Sequence, residues 1–243
     1  MASVESNRML ADQAAAMHAR FPGLDLRSRS DGQLVVSGAL GFSVTHEGQT
    51  VETEYAVEIV IPKGYPEAVP GVLETGGRTP GDFHKLADGS LCLGAPLEVQ
   101  VSFAQNPTLL GFVERQVIPY LFSHAWWERS GKMPFGERAH GTAGILQSYQ
   151  EQLGTNDVVT VLNLLRILAD DSYHGHTLCP CGSGSKLRHC HGQTLLRLKE
   201  HRSRQRFLLD HACLLQHAFS SDPTLNAVEL TANSIRRKGR RRR

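Results

Sequence analysis

The chain is first defined by what it lacks. No apolar run reaches the roughly 18 residues that a membrane span needs, and the opening Met1-Ala2-Ser3-Val4-Glu5 carries no signal-peptide apolar block. A cytoplasmic protein is expected. A phosphate-binding P-loop, a dinucleotide fingerprint and a Gly-x-Ser-x-Gly elbow are all missing, which argues against nucleotide-driven or serine-hydrolase chemistry by this chain itself. No internal repeat is visible. The five cysteines are an odd number, and without a secretion signal they point to metal or catalytic thiols rather than a disulfide framework.

What is present is an ordinary globular balance: 243 residues, 40% hydrophobic and 21% charged, enough for one large domain or two modest ones. The net charge of +2 averages two unlike parts. Residues 236–243 hold seven basic groups and no acid, and without them the chain has 19 basic against 24 acidic groups, a balance of −5. A basic stretch at Arg197, Lys199, Arg202, Arg204 and Arg206 extends the cationic character inward. Such a tail could neutralise phosphates of RNA or the ribosome, or lie solvated; no aromatic interleaves with it to stack on bases. Attraction between the acidic and basic halves is a further reading.

Hydrophobic periodicity sets out the elements. Leu10, Ala14, Met17 and Phe21 mark a helix that Pro22-Gly23 stops. From Leu34 to Val44 apolar residues alternate with small ones, and Tyr55, Val57, Ile59 and Ile61 repeat the pattern after the turn His46-Glu47-Gly48-Gln49. This is an antiparallel hairpin or the start of a meander. Pro62, Pro66 and Pro70 interrupt it before Val72-Leu73. Gly76 to Gly94 forms a long aperiodic loop carrying Cys92, a length that usually signals function or mobility. Asn106-Pro107 then reads as the cap of a helix through Leu121 that Pro119 kinks or ends. Further helices are expected over 142–153, over 156–169 from a cap at Asn156, and over 194–219. Trp126-Trp127 reads as core or as a lid over the loop, His140 as a residue that could reach Cys92, and Cys213 as core. Apolar periodicity stops near Asp170-Asp171-Ser172, the expected domain boundary.

Cys179-x-Cys181, eight residues, then Cys190-His191 is the most specific pattern. Three thiolates and an imidazole suit tetrahedral zinc, and four protein ligands close a site against water. Gly182 and Gly184 allow the tight return. His174, His176 and His189 lie close enough to compete as ligands, with the Cys190-His191 pair preferred; the plainer alternative is reduced cysteines in a loop. So short a segment would draw its folding energy from the metal. The string resembles the SEC-C motif, found at the carboxyl terminus of the protein-translocation motor and appended to many bacterial proteins. The resemblance implies structural zinc and a docking surface rather than catalysis.

The earlier elements make a second ordered series. A helix and a hairpin lead to Ile61-Pro62-Lys63-Gly64-Tyr65-Pro66 with Pro70 following. Then come His84, Asp88-Gly89-Ser90-Leu91-Cys92-Leu93-Gly94 and the Asn106-Pro107 helix. The series resembles the ubiquitin-conjugating-enzyme (UBC) fold of divergent bacterial relatives over about residues 5 to 153. That resemblance implies an α+β fold: an N-terminal helix, an antiparallel meander sheet, an active-site loop and C-terminal helices, followed by a small zinc knot and a helix. With the periodicity break near Asp170, the cysteine pattern and the basic run, the chain is expected to divide into a ubiquitin-conjugating-like domain (1–170), the SEC-C motif (171–193), a helical extension (194–235) and the basic tail (236–243).

The resemblance further implies that Cys92 accepts a ubiquitin-like carboxyl terminus as a thioester from an activating enzyme and passes it to an acceptor protein. Where the eukaryotic family has Asn eight residues before the cysteine, this chain has His84, whose ring could donate a hydrogen bond to an oxyanion. A thiolate suits such a carrier because thioesters stay reactive toward amines. No Lys or Arg lies within six residues of Cys92, as suits a thiol charged by a partner rather than one attacking unactivated amides. The bland alternative for Cys92 is a buried small hydrophobe, and for His84 an ordinary loop residue. The alternative function is a non-catalytic zinc-binding adaptor docking to translocation, ribosomal or nucleic-acid partners.

Overall fold

Alternation in the sequence becomes a sheet of four antiparallel strands. In this computed structural model, which describes residues 2–135 and 141–221, the strand order is β1-β2-β3-β4. The strands are β1 (Leu24–Ser28), β2 (Leu34–His46), β3 (Gln49–Val60) and β4 (Gly71–Glu74). The expected hairpin is β2–β3, paired from Val35↔Val60 to His46↔Gln49. Its two-residue turn places Glu47 at φ 49° and Gly48 at φ 75°, both left-handed. Such a turn matches strand twist, and glycine takes the second position without steric cost.

The expected period of two holds. Leu40, Phe42, Val51, Tyr55, Val57 and Ile59 are buried, while Gly41, Ser43, Glu52, Glu54 and Ala56 face solvent. The buried row packs with Met17 and Phe21 of α1 (Ala2–Arg20) and with Leu109, Phe112, Val113, Val117, Leu121 and Phe122 in one hydrophobic core. β1 lies outside the elements expected from the sequence. It pairs with β2 across Leu24↔Gly38 to Ser28↔Leu34.

After the loop come α2 (Pro96–Ala104), α3 (Leu109–Phe112), a π-helical turn (Val113–Val117) and α4 (Ile118–Ser130). Two details differ from the sequence reading. The cap of α3 is Thr108, whose hydroxyl accepts from the Gly111 amide at 3.0 Å, and not Asn106. Pro119 neither ends nor breaks the helix. The preceding turn widens to π, with the Ile118 amide reaching back to Val113 O, and proline follows at the start of α4, where the widened turn accommodates its ring and missing N–H.

The chain divides into two compact units, Met1–Gly94 with Val99–Glu137, and Ala95–Glu98 with Arg138–Arg243. The second contains α5 (Gly141–Leu153), α6 (Val158–Ala169), a 3-10 turn (Leu187–His189), α7 (Gly192–His201) and α8 (Arg204–Ser221). The division falls upstream of the boundary read near Asp170 because α5 and α6 pack with α7 and α8. The cap of α6 is Asp157, one residue beyond Asn156, with its carboxylate accepting the Thr160 amide at 2.9 Å.

The single helix expected over 194–219 is two. Arg202 is extended, at φ −146° and ψ 137°, and turns its guanidinium inward onto Asp210 at 2.6 Å. Tyr149 donates to the same Asp210 oxygen at 2.8 Å, so one buried carboxylate ties α5, the interhelix bend and α8 together. Burial, with Asp210 next, keeps the Tyr149 phenol protonated far above its ordinary range. Cys213 is only half-buried, with its sulfur 3.2 Å from the Thr142 hydroxyl. Leu208 and Leu209 of the same apolar run are exposed.

Asp210→Ala removes the buried carboxylate that Arg202 and Tyr149 share, and should lower unfolding stability by about 3–5 kcal/mol in chemical denaturation. Among the described residues no helix is long and apolar enough to cross a membrane.

Candidate functional site

The second unit gathers the cysteine pattern into a single cluster. The backbone from 177 to 190 folds back on itself through the bridge Leu178↔Lys186. The Cys179 amide donates to Ser185 O at 2.8 Å and the Leu187 amide to Thr177 O at 2.7 Å. Gly182 and Gly184, at φ 79° and 75°, make the tight return that other residues would strain. The donor atoms of Cys179, Cys181, Cys190 and His191 consequently all lie within 4.8 Å of one another.

Individual separations are 3.1 Å from Cys179 Sγ to His191 Nδ1, 3.2 Å from Cys190 Sγ to the same nitrogen, and 3.5 Å between Cys181 and Cys190 sulfurs. A tetrahedral site with metal–sulfur bonds of about 2.3 Å has sulfur–sulfur edges of about 3.8 Å. The four donors therefore fit around one ion. His191 Nε2 lies 3.0 Å from the carbonyl of Leu153, where it donates. That bond fixes the tautomer and leaves the Nδ1 lone pair facing the sulfurs.

Burial pushes the Cys179 thiol up to about 12. Burial also raises Cys181, but hydrogen bonds from Ser183 and the two neighbouring thiols outweigh it and bring that thiol down to about 6. A ready thiolate at Cys181 beside a protonated Cys179 is a starting point from which a soft cation could displace the remaining proton.

The competing histidines are placed elsewhere. Arg188 Nη1 lies 2.9 Å from His176 Nδ1, and Arg188 Nε donates to His189 Nε2 at 2.9 Å. His174 offers its backbone carbonyl to Thr177. None of the three joins the cluster.

In the first unit the Gly76–Gly94 loop is aperiodic but tied down. Buried Glu74 accepts the amides of Gly76 and Thr79 at 2.8 and 2.9 Å, and Lys85 Nζ donates to Thr79 O at 2.8 Å. Arg78 lies over the Tyr55 ring at 4.2 Å and forms a bidentate pair with Glu128, 2.6 Å at its closer end. Phe83 is the hydrophobic anchor. Tyr120, His124 and Trp127 lie on one face of α4 at helical spacing, and their rings approach Phe83 at 5.9, 4.7 and 5.3 Å. Trp126 belongs to the core, and it is Trp127 that rests on the loop. His124 is fully buried, with Nδ1 2.7 Å from the Tyr55 hydroxyl. Burial lowers its pKa, so this imidazole stays neutral.

Cys92 sits half-buried at the end of this loop. Its amide donates to the His84 carbonyl at 2.7 Å, alongside the bridge Lys85↔Leu91, while Leu91 is buried and donates to Val72 O on β4 at 2.8 Å. The two candidate residues, eight apart in sequence, therefore lie across a backbone hydrogen bond. His84 is left-handed at φ 45°, an unusual conformation for a side-chain-bearing residue, and its ring packs edge-on to Phe83 at 4.9 Å. The sulfur of Cys92 is 4.0 Å from Gly94 O.

The anchors Phe83, Arg78, Tyr120 and His124 escaped the sequence reading. Only the helical spacing of 120, 124 and 127 hinted at a shared face, and nothing local says what that face grips. His140 and the basic tail 236–243 lie outside the described residues.

Residues 177–193 match the SEC-C motif. No curated protein and no solved structure matches the chain.

Proposed function

We propose that the chain is a carrier in ubiquitin-like protein conjugation, with Cys92 as the carrying thiol and zinc in the Cys179–Cys181–Cys190–His191 cluster. The observation that carries this reading is the placement of Cys92 on a braced loop, its amide on the His84 carbonyl, directly after a four-stranded meander preceded by a helix. This order of elements resembles the UBC fold of bacterial relatives.

In the proposed cycle an activating enzyme presents a ubiquitin-like carboxyl terminus as a thioester. The Cys92 thiolate attacks the carbonyl carbon, a new C–S bond forms, and the activating enzyme's thiolate leaves. An acceptor amine then attacks the Cys92 thioester; the C–S bond breaks, Cys92 leaves as thiolate, and the amine's proton passes to water. Negative charge on the carbonyl oxygen in both steps is where a donor from His84 would act. The test is a thioester assay with and without reductant.

His84→Gly relieves the left-handed backbone and removes the imidazole, so it should slow discharge about a hundredfold while the thioester still forms. His84→Asn tolerates the same backbone and keeps a donor, and should retain most of the rate in single-turnover discharge.

Zinc would be held by three thiolates and His191 Nδ1 with no open position, so its role is to fold a docking module. The partners proposed for that module and the basic tail are the acceptor protein, the ribosome or RNA. The SEC-C match also favours a second reading, a non-catalytic zinc-binding adaptor docking to translocation or ribosomal partners. Retained function in Cys92→Ala together with loss in Cys179→Ser would select it.

A further inference from the structure

We propose that Tyr120 is the positioning residue of the Cys92 loop: its phenol proton, shared between two successive carbonyls, sets the direction in which Cys92 presents its sulfur. The inference rests on the reading of Cys92 as the carrying thiol.

The Tyr120 hydroxyl donates to Phe83 O at 2.7 Å and also approaches His84 O at 3.3 Å. The His84 carbonyl is the same oxygen that accepts the Cys92 amide at 2.7 Å. One O–H therefore fixes the peptide planes on both sides of His84, and the second plane holds the backbone of Cys92. His84 is the residue whose backbone most needs holding, since its φ of 45° is disfavoured for any side chain longer than glycine's. Rigid placement matters in acyl transfer, where small misplacements of the attacking atom cost large factors in rate.

The donor is itself held. Tyr120 stands in the first turns of α4, its ring edge-on to Phe83 at 80°. Burial, followed by the charge of nearby Cys92, raises its pKa, so the hydroxyl keeps its proton throughout the range in which a thiolate works. A second anchor makes the role separable from general stability. The adjacent Leu91 amide is bound to Val72 O on β4, independently of Tyr120.

The test is Tyr120→Phe, which keeps the ring against Phe83 and deletes only the hydroxyl. Amide hydrogen exchange is followed at Cys92 and Leu91, and discharge of the Cys92 thioester to free lysine is followed in single turnover. Exchange at Cys92 is expected to rise about five- to tenfold, with Leu91 and the melting temperature unchanged, and discharge is expected to slow by a similar factor. Unchanged exchange at Cys92 overturns the positioning role. So does a parallel rise at Leu91 with a lowered melting temperature, which marks a purely structural residue. If exchange rises selectively at Cys92 but the wild-type protein accepts no thioester, the positioning role stands and the carrier reading falls.

Discussion

Stripping the zinc proposed for the Cys179–Cys181–Cys190–His191 cluster is expected to unfold the knot while leaving the four-stranded sheet intact. Little else holds the knot. Within 177–191 only Cys179 and Leu187 are buried, and the backbone closes through a few hydrogen bonds around an isolated bridge. Four polar donors that converge to within 4.8 Å would repel or compete for protons without a cation between them. Structural zinc contributes apparent binding energies of about 10–16 kcal/mol in isolated zinc-finger peptides, far more than so small an apolar surface supplies. Treatment with a strong chelator, or Cys179→Ser, should therefore raise amide exchange at Cys179 and Leu187 by more than about a hundredfold. The amides of β2 and β3 should be unaffected. One zinc per chain should be recovered from the untreated protein and less from Cys179→Ser. His191→Ala should also loosen the cluster's attachment to α5, because it deletes the 3.0 Å bond to Leu153 O. Unchanged exchange after verified metal removal would show a knot that stands on its own hydrogen bonds.

The gathering of the four donors was legible in sequence because the pattern is local: all four fall between 179 and 191, and soft thiolates with an imidazole are the set a metal site would use. The hairpin was legible for a similar reason. Its alternation from Leu34 to Ile61 lies within one continuous stretch and has a period that only a strand satisfies. Features set by partners distant in sequence were not legible. The division of 194–219 into α7 and α8 depends on Arg202 turning to Asp210, a choice that helix propensity does not record. The cap of α6 moved from Asn156 to its neighbour Asp157 because both side chains suit a cap and only the register of Thr160 decides between them. Most consequential was the loop around Cys92. It reads as structureless, yet it is braced through Arg78–Glu128 and Tyr120–Phe83, contacts spanning 50 and 37 residues. Sequence supplied the cysteine and the histidine eight positions before it; the α4 face that sets their geometry came from tertiary packing.

That bracing makes the removal of Cys92 a clean experiment. Alanine keeps the backbone amide, so the 2.7 Å bond to the His84 carbonyl survives, and so do the Leu91 anchor on β4 and the Phe83 contacts with α4. The thiol is only half-buried, and its polar contact among the described residues, 4.0 Å to Gly94 O, is weak. The stability cost of Cys92→Ala should therefore stay below about 1 kcal/mol, within the range of mild truncations. Covalent loading should vanish altogether. With an activating enzyme and its ubiquitin-like protein, the wild-type chain is expected to form an adduct that reductant releases, and Cys92→Ala none. Cys92→Ser, if loaded, should give an ester that resists reductant, because an oxygen ester is not exchanged by thiols. The other four cysteines serve as internal controls: Cys179, Cys181 and Cys190 are committed to the cluster, and Cys213 lies against Thr142. An adduct of wild-type yield in Cys92→Ala would place the acyl group on another residue and remove the carrier role from this loop. Loss of the adduct with an unchanged melting temperature would assign the chemistry to the single sulfur that α4 and β4 together hold in place.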